Sequence, residues 1–340
     1  MQTPRERANA ALLQAVYYLD RELAPSTKVR AFIRALATVD ALSDDELVER
    51  TKSQTLTELD GIGPSTSEVI TDGVLDRPSS YLEKLEVRTR IPIGAGGEIR
   101  EALRGDCHMH SMWSDGAAPI ATMAEAARAL GHEYMVLTDH SARLTIAHGL
   151  DEKRIRKQLD ELAEINAQMA PFRVLSGLEV DILEDGSLDL SDDLLGDLDV
   201  VVGSVHSKFR MPREDMTRRL VMAIASPHVD MIGHITNRKV VGGGRNGSDF
   251  DPEIVFAACA RFDTAIEINC RPERQDPPEE LVALARQWDL KFCINTDAHA
   301  PGQLEWQPYG CDKLAQLDIG AESVINTWPA DELIGWANSR

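Results

Sequence analysis

The sequence predicts an α/β barrel preceded by a small all-helical domain, and three observations predict it. Residues 1 to about 90 show only helical spacing of their apolar side chains. From residue 105 onward, short apolar runs alternate with amphipathic stretches, which argues for βα units and a parallel sheet. Seven such runs can be counted, and a chain of 340 residues has room for a barrel plus an appendage.

Taken in order, Ala11, Leu12, Val16 and Leu19 recur at helical spacing, and Lys28 to Leu36 and Asp44 to Val48 support further helices. The stretch Val87 to Gly105 is rich in Gly, lacks a period and reads as a linker, which sets the domains at 1–90, 91–104 and 105–340. The first strand is expected at Gly105 to Met109. Met123, Ala126, Ala127 and Leu130 then form a helical stripe between Pro119 and the stop signal Gly131, and the strand Tyr134 to Leu137 follows. Phe172 to Leu175, Val200 to Val205, Met231 to Gly233 and Ala265 to Ile268 are further strands. Leu281, Leu284, Ala285 and Trp288 form another stripe before the strand Lys291 to Ile294.

Composition narrows the function. With 43% apolar and 27% charged residues the chain can bury a core. Its 36 basic and 56 acidic residues give −20, which disfavours non-specific attraction to nucleic acid or to an anionic membrane surface. Three bound divalent ions would raise that total to −14 and reverse its sign locally. The apolar run Ala8 to Leu19 is interrupted by Asn9 and Gln14 and is not expected to be a signal peptide, and no run has the length of a membrane span. Five widely spaced cysteines without a CxxC pair fit reduced thiols in a cytoplasmic protein.

The chemistry is expected where six of the nine histidines fall, at or just after strand ends: His108, His110, His140, His206, His234 and His299. In a parallel barrel those ends converge on one face. Asp115, Glu179 (after the third strand) and Asp297 join them at the same level. Imidazole with carboxylate is a ligand set for zinc, manganese or iron. Residues two apart on a strand share a side, so His108 with His110, and Asp297 with His299, can both face inward. A lone histidine is ordinarily a satisfied core or surface residue. This set, buried without an ion, would leave donors and charges unpaired at several kcal/mol each, in order of magnitude. His132, after Gly131, is expected to meet helix carbonyls, His228 to be solvated, and His148 to lie in a loop on the substrate face.

The strings GDCHMHSMWSDG, LTDHS, SGLEVDIL, VGSVHSKFRM, MIGH and NTDAH resemble the PHP (polymerase and histidinol phosphatase) superfamily, above all the PHP domain of bacterial family X DNA polymerases, over residues 105 to 335. The resemblance implies a distorted seven-stranded β/α barrel with three divalent metal ions. By it, His108, His110, Glu179 and Asp297 would hold one ion, Glu179 would bridge to a second held by His206 and His234, and Asp115, His140 and His299 would hold the third. Catalysis would fall on Glu179, Asp297 and His299.

The residues agree with a metal-activated water as nucleophile, since no Gly-x-Ser-x-Gly elbow or cysteine motif marks a covalent one. Three carboxylates against three divalent ions leave a formal +3, which favours a phosphate ester. Lys208, Arg210, Arg238, Arg271 and Arg274 follow strand ends and are candidates to fork onto phosphate oxygens, with Arg238 and Arg274 ranked first by the resemblance. The glycine-rich loop 242–247 lacks the ending of a P-loop and reads as a rim loop.

In the first domain, Leu56 to Ile70 is similar to a helix-hairpin-helix motif, with Gly61, Ile62 and Gly63 offering backbone N–H groups to a DNA phosphate; a plain helical hairpin is the alternative. Residues 3 to 90 resemble the N-terminal lyase-like domain of the same polymerases. The polymerase palm and fingers are missing, so no polymerase activity is expected. With 12 basic and 15 acidic residues in the first 90, DNA contact should be weak. The leading expectation is a DNA 3′-end hydrolase, with a small phosphomonoesterase such as a histidinol-phosphatase, or a non-enzymatic docking module, as alternatives.

Overall fold

The structure is a computed structural model of the chain and describes residues 2–241 and 244–339. Gly242 and Gly243 of the expected rim loop lie outside the described residues. The chain forms two compact units that divide between Ile91 and Pro92.

The first unit contains α1 (Pro4–Arg21), α2 (Ser26–Asp40), α3 (Asp44–Ser53), α4 (Pro64–Val74) and α5 (Ser80–Thr89). Thr3 starts α1 with a reciprocal cap: its hydroxyl accepts from the Glu6 amide at 3.2 Å, and its own amide donates to the Glu6 carboxylate at 2.7 Å. The apolar stripes bury Leu12, Leu19, Phe32, Leu47, Ile70 and Leu85 in one core.

The second unit begins with α6 (Gly97–Ala102), a helix inside the stretch that reads as linker. Six residues are too few for a helical period to show in sequence, but Ile99 and Leu103 are buried and Asp312 accepts from the amides of Gly94 and Gly96 at 2.9 and 2.8 Å. The barrel follows as β1 (Gly105–Asp106), α7 (Ile120–Ala129), β2 (Tyr134–Leu137), α8 (Glu152–Met169), β3 (Arg173–Asp181), α9 (Asp192–Leu195), β4 (Val200–Ser204), α10 (Arg213–Ile224), β5 (Met231–Ile232), α11 (Pro252–Phe262), β6 (Ala265–Asn269), α12 (Glu279–Gln287) and β7 (Phe292–Asn295), with α13 (Gln307–Gln316) and α14 (Ala330–Ala337) after it.

The seven strands lie in chain order and every neighbouring pair is parallel. The sheet's two edges meet beyond the strands: Asn295 Oδ1 accepts from the Cys107 amide at 3.0 Å, and Met109 and Ala298 form an isolated parallel backbone bridge. Inward residues near the strand starts, among them Tyr134, Val200 and Met231, pack against Ile325 and Leu333, so the C-terminal segment plugs that end of the barrel. The opposite end, where the strands finish, is left to the histidines.

Two expectations change. β3 runs nine residues rather than ending at Leu175, and Glu179 lies inside it, paired with Val202, not after it. β1 is only two residues long, because Asp106 turns its carboxylate back to the His108 amide at 3.1 Å and to the Thr296 hydroxyl at 2.6 Å.

Candidate metal centre

Each strand end delivers its ligand by a local device. The chain leaving β1 presents His108 and His110 on one side, both fully buried. The turn to Asp115 folds back so tightly that a Cβ at Gly116 would sit 2.7 Å from the His110 carbonyl, which is why glycine follows the aspartate. His234 and Asp297 take positive φ of 26° and 52°, strained for residues with side chains. Buried Asp139, beside His140, accepts from the Ser111 amide (2.8 Å), the Ser111 and Ser114 hydroxyls (2.6 and 2.5 Å) and Gln158 (2.7 Å), and thereby fixes the loop carrying Asp115.

The side chains converge on Glu179. One carboxylate oxygen lies 2.8 Å from His234 Nε2 and 3.1 Å from His206 Nε2; the other lies 2.8 Å from His140 Nδ1, 3.4 Å from His108 Nε2 and 3.6 Å from His110 Nε2. Asp297 Oδ1 is 3.4 Å from His110 Nε2 and 3.6 Å from His299 Nδ1. Asp115 Oδ1 is 3.4 Å from His299 Nε2 and 3.5 Å from His140 Nε2. Among the described residues, three sets of donor atoms lie within 4.8 Å of one another: His110, Asp115, His140 and His299; His108, His110 and Glu179; and His140, Glu179 and His206. These sets take in seven of the nine expected ligands, with His110, His140 and Glu179 each shared between two sets; His234 and Asp297 belong to none of them but lie 2.8 Å from Glu179 and 3.4 Å from His110, respectively.

The donor set fits cations. His108 Nε2, both nitrogens of His110, His140 Nδ1, His234 Nδ1 and Glu179 Oε2 are buried without a hydrogen bond, so close approaches here lack hydrogen-bond alignment. Burial works to raise the Glu179 carboxyl, but His206, His108 and His140 outweigh it and hold it well below the ordinary range. Burial, then His299 and His140, pushes His110 well down, which keeps it neutral as a ligand must be.

Sequence reading missed Glu267. It is fully buried in β6, its Oε1 lies 2.6 Å from His108 Nδ1, and its Oε2 accepts from the His234 amide at 2.6 Å. Accepting from His108 Nδ1–H leaves the Nε2 lone pair toward the cluster. An acid in the apolar run AIEIN was the available signal, because a buried carboxylate requires a partner.

Of the phosphate candidates, Arg274 Nε lies 3.4 Å from Asp297 Oδ2, and Arg271 Nη1 donates to the Asp297 carbonyl at 3.1 Å and meets His299 Nδ1 at 3.0 Å. Arg238 instead donates to the carbonyls of Arg274 and Gln275, so it braces the turn bearing Arg274. Lys208 is exposed, 4.0 Å from Glu184, and Arg210 is exposed beside it. His148 is exposed and makes no part of the donor sets. His132 meets a helix carbonyl only through its backbone amide, which donates to Ala127 at 3.2 Å; its imidazole is buried with neither nitrogen on a carbonyl, and burial pushes it down to about 3.

In the first unit, Gly61 takes φ +83° and Gly63 precedes α4, its amide donating to the Thr66 hydroxyl at 2.9 Å. The Ile62 side chain is buried in the helical core and its amide donates to the Leu59 carbonyl at 3.2 Å, so, against expectation, the amides of Ile62 and Gly63 are both taken up within the hairpin.

Comparison with known proteins follows the same division. Residues 106–270 match the PHP domain family. The second unit contains a PHP domain. A DNA polymerase/3′-5′ exonuclease PolX of Bacillus subtilis (strain 168) is 42% identical over 197 residues, which is 58% of this chain and 34% of that protein; this chain thus spans about a third of the polymerase's length. A protein of Thermoanaerobacter sp. (strain X514), named a probable phosphatase, is 29% identical over 233 residues, 65% of this chain and 89% of that protein. Among solved structures, a histidinol phosphate phosphatase of Lactococcus lactis, complexed with zinc, L-histidinol and phosphate, aligns with 16% identity and a TM-score of 0.47 over 62% of this chain and 93% of that one. The matched PHP segment covers β1 to β6 and ends before Asp297 and His299.

Proposed function

We propose that this chain is a metal-dependent phosphoester hydrolase acting on DNA 3′ ends, as a 3′–5′ exonuclease or 3′-phosphatase, in the cytoplasm and without polymerase activity. The observation that carries the hydrolase reading is the convergence of five imidazoles on the buried carboxylate of Glu179, with ring nitrogens unbonded around it. Three divalent ions, zinc, manganese or iron, would be held by His108, His110, Glu179 and Asp297; by Glu179, His206 and His234; and by Asp115, His140 and His299. Such ions, when bound, polarise phosphoryl oxygens and bring the pKa of a water toward about 7.

The chain's own groups then do the rest. Arg271 and Arg274 stand at Asp297 and orient a phosphate by their forked N–H groups. Glu267 fixes the His108 tautomer, and burial of the cluster excludes bulk water. Glu179, Asp297 and His299 would be the catalytic group. The DNA reading is supported by the similarity to the PolX exonuclease. The contrary reading, a small phosphomonoester substrate, is favoured by the phosphatase aligned over 89% of its length and by the −20 charge.

One panel tests these. With manganese, the protein should hydrolyse p-nitrophenyl phosphate and shorten or dephosphorylate labelled single-stranded DNA, and a chelator should stop both. No activity with manganese or zinc sinks the hydrolase reading. Turnover of histidinol phosphate with DNA left intact moves the substrate to the small ester.

A further inference from the structure

Beyond the metal cluster, cations gather where electrostatics alone would keep them apart. Lys239 and Arg245 form an isolated antiparallel bridge and exchange two backbone hydrogen bonds, of 2.9 and 2.8 Å. Residues directly opposite in such a pair project their side chains to the same face, and like charges there are destabilising. Burial, then the neighbouring Arg274 and Arg245, lower the Lys239 amine, and burial with Arg274 lowers the Arg245 guanidinium. Arg245 is also held in place, its Nε donating to the Asn237 carbonyl at 2.9 Å and its guanidinium lying 4.1 Å from the centre of the Phe209 ring.

Carboxylates relieve the pair only in part: Glu273 acts on Lys239 and Asp276 on Arg245, and burial with Arg274 outweighs both. Two clefts, of about 610 and 1090 Å³, share Lys239 and Arg245 in their walls, and Lys208 and Arg210 line the second. Asp249 lines both but is ion-paired with Arg213 at 3.3 Å. The clefts connect to the metal cluster by contact: Arg274 lies 3.4 Å from Asp297 and donates to Asn237 Oδ1 at 3.2 Å, and the carbonyl of that same Asn237 receives Arg245. Beside the cations, Val240 and Val241 are 45% and 52% exposed, apolar surface suited to the faces of bases.

We propose that Lys239 and Arg245 form a phosphodiester-binding rung for a single nucleic-acid strand whose terminal phosphoester reaches the metal cluster. The inference rests on the hydrolase reading above and deepens it. A small phosphomonoester carries one phosphate, which the cluster with Arg271 and Arg274 serves. The opposed pair one contact further out requires a second anionic group on the same substrate, and a strand supplies it with bases attached.

The experiment is fluorescence anisotropy of a labelled oligothymidylate with the full chain, in calcium so that nothing is cleaved, over a range of salt. Replacing both residues (Lys239→Ala with Arg245→Ala) should weaken strand binding about tenfold and reduce the salt slope by about 0.7, the contribution of the one phosphate that the pair holds on a single strand. The charge-preserving pair Lys239→Arg with Arg245→Lys should keep most of the affinity, which separates charge from folding. Unchanged affinity and slope in the alanine pair overturns the rung. Equal loss of affinity for inorganic phosphate also overturns it, by placing the pair on a single-phosphate site. Failure of the native chain to hydrolyse p-nitrophenyl phosphate instead strikes the hydrolase reading and leaves the binding result to stand on its own.

Discussion

Glu179 and Glu267 show how one residue type takes two roles by its neighbours. Glu179 faces five imidazoles at 2.8 to 3.6 Å and makes too few aligned hydrogen bonds to be satisfied by them. Glu267 is satisfied, by His108 Nδ1, the His234 amide, and the side-chain amides of Asn269 and Asn295 at 3.1 Å. Glu179→Gln should therefore abolish phosphoesterase activity and lower metal content measured by atomic emission, while His148→Ala, at an exposed loop position, should leave metal content unchanged. Full activity in Glu179→Gln would refute the ligand assignment. Glu267→Gln should bind metal about 10–100-fold more weakly and still fold, the usual effect of losing the partner that orients a ligand histidine. A competition titration with a chromophoric chelator reads it, and an unchanged affinity would reduce Glu267 to a core residue. Eight of the nine candidate ligands were legible in sequence because they stand in the segments after strand ends; Glu179 lies inside β3 and was read because that strand was expected to end at Leu175. Glu267 was passed over, because its one local signal, an acid inside the apolar run AIEIN, stands apart from the strand ends to which the other candidates drew attention.

At the scale of elements, the α7 and α12 stripes and strands β2, β4, β6 and β7 follow from apolar runs bounded by Pro and Gly, and they stand within a few residues of where those runs place them. β3 was cut short in the reading because Ser176, Gly177 and Glu179 interrupt its apolar run, although in the barrel Ser176 pairs with Leu137 of β2, Gly177 and Glu179 pair with Val200 and Val202 of β4, and Glu179 also bridges His140. The turn after β1 carries the tightest constraint. A methyl at Gly116 would press on backbone atoms of His110 and Ser111 at 2.7 Å, so Gly116→Ala should displace His110 and Asp115 together. Activity should fall at least tenfold with the circular dichroism spectrum kept; native activity would show that the loop yields without moving its ligands. In α1, burial pushes the Asp20 carboxyl up to about 7. Its folded pKa exceeds its unfolded value of about 3.9, so the folded state holds the extra proton, and stability falls as pH rises from about 4 to 7. Asp20→Asn should raise the stability of the first unit by about 2 kcal/mol at pH 8 and leave it unchanged below pH 4. A gain of equal size at both pH values would assign the effect to packing.

For the molecule as a whole, the candidate metal cluster and the stability of the barrel are one problem, because its candidate ligands come from β3 and from the segments after β1, β2, β4, β5 and β7. A cation that binds only the folded barrel stabilises it by about 2.7 kcal/mol per site at a hundredfold excess over its dissociation constant. For a domain of this size, each kcal/mol moves the thermal midpoint by about 2–4 °C. The sequence supplies the reporter: all five tryptophans, Trp113, Trp288, Trp306, Trp328 and Trp336, lie beyond residue 91. Tryptophan fluorescence therefore follows the barrel unit alone. Stripping the protein with a chelator should lower its fluorescence midpoint by about 5–10 °C for each site emptied, and manganese added back should restore it in proportion to occupancy. Glu179→Gln should melt low and gain little from added metal. A midpoint indifferent to both chelator and manganese would mean that the histidines and carboxylates satisfy one another, and the metal centre would have to be given up with it.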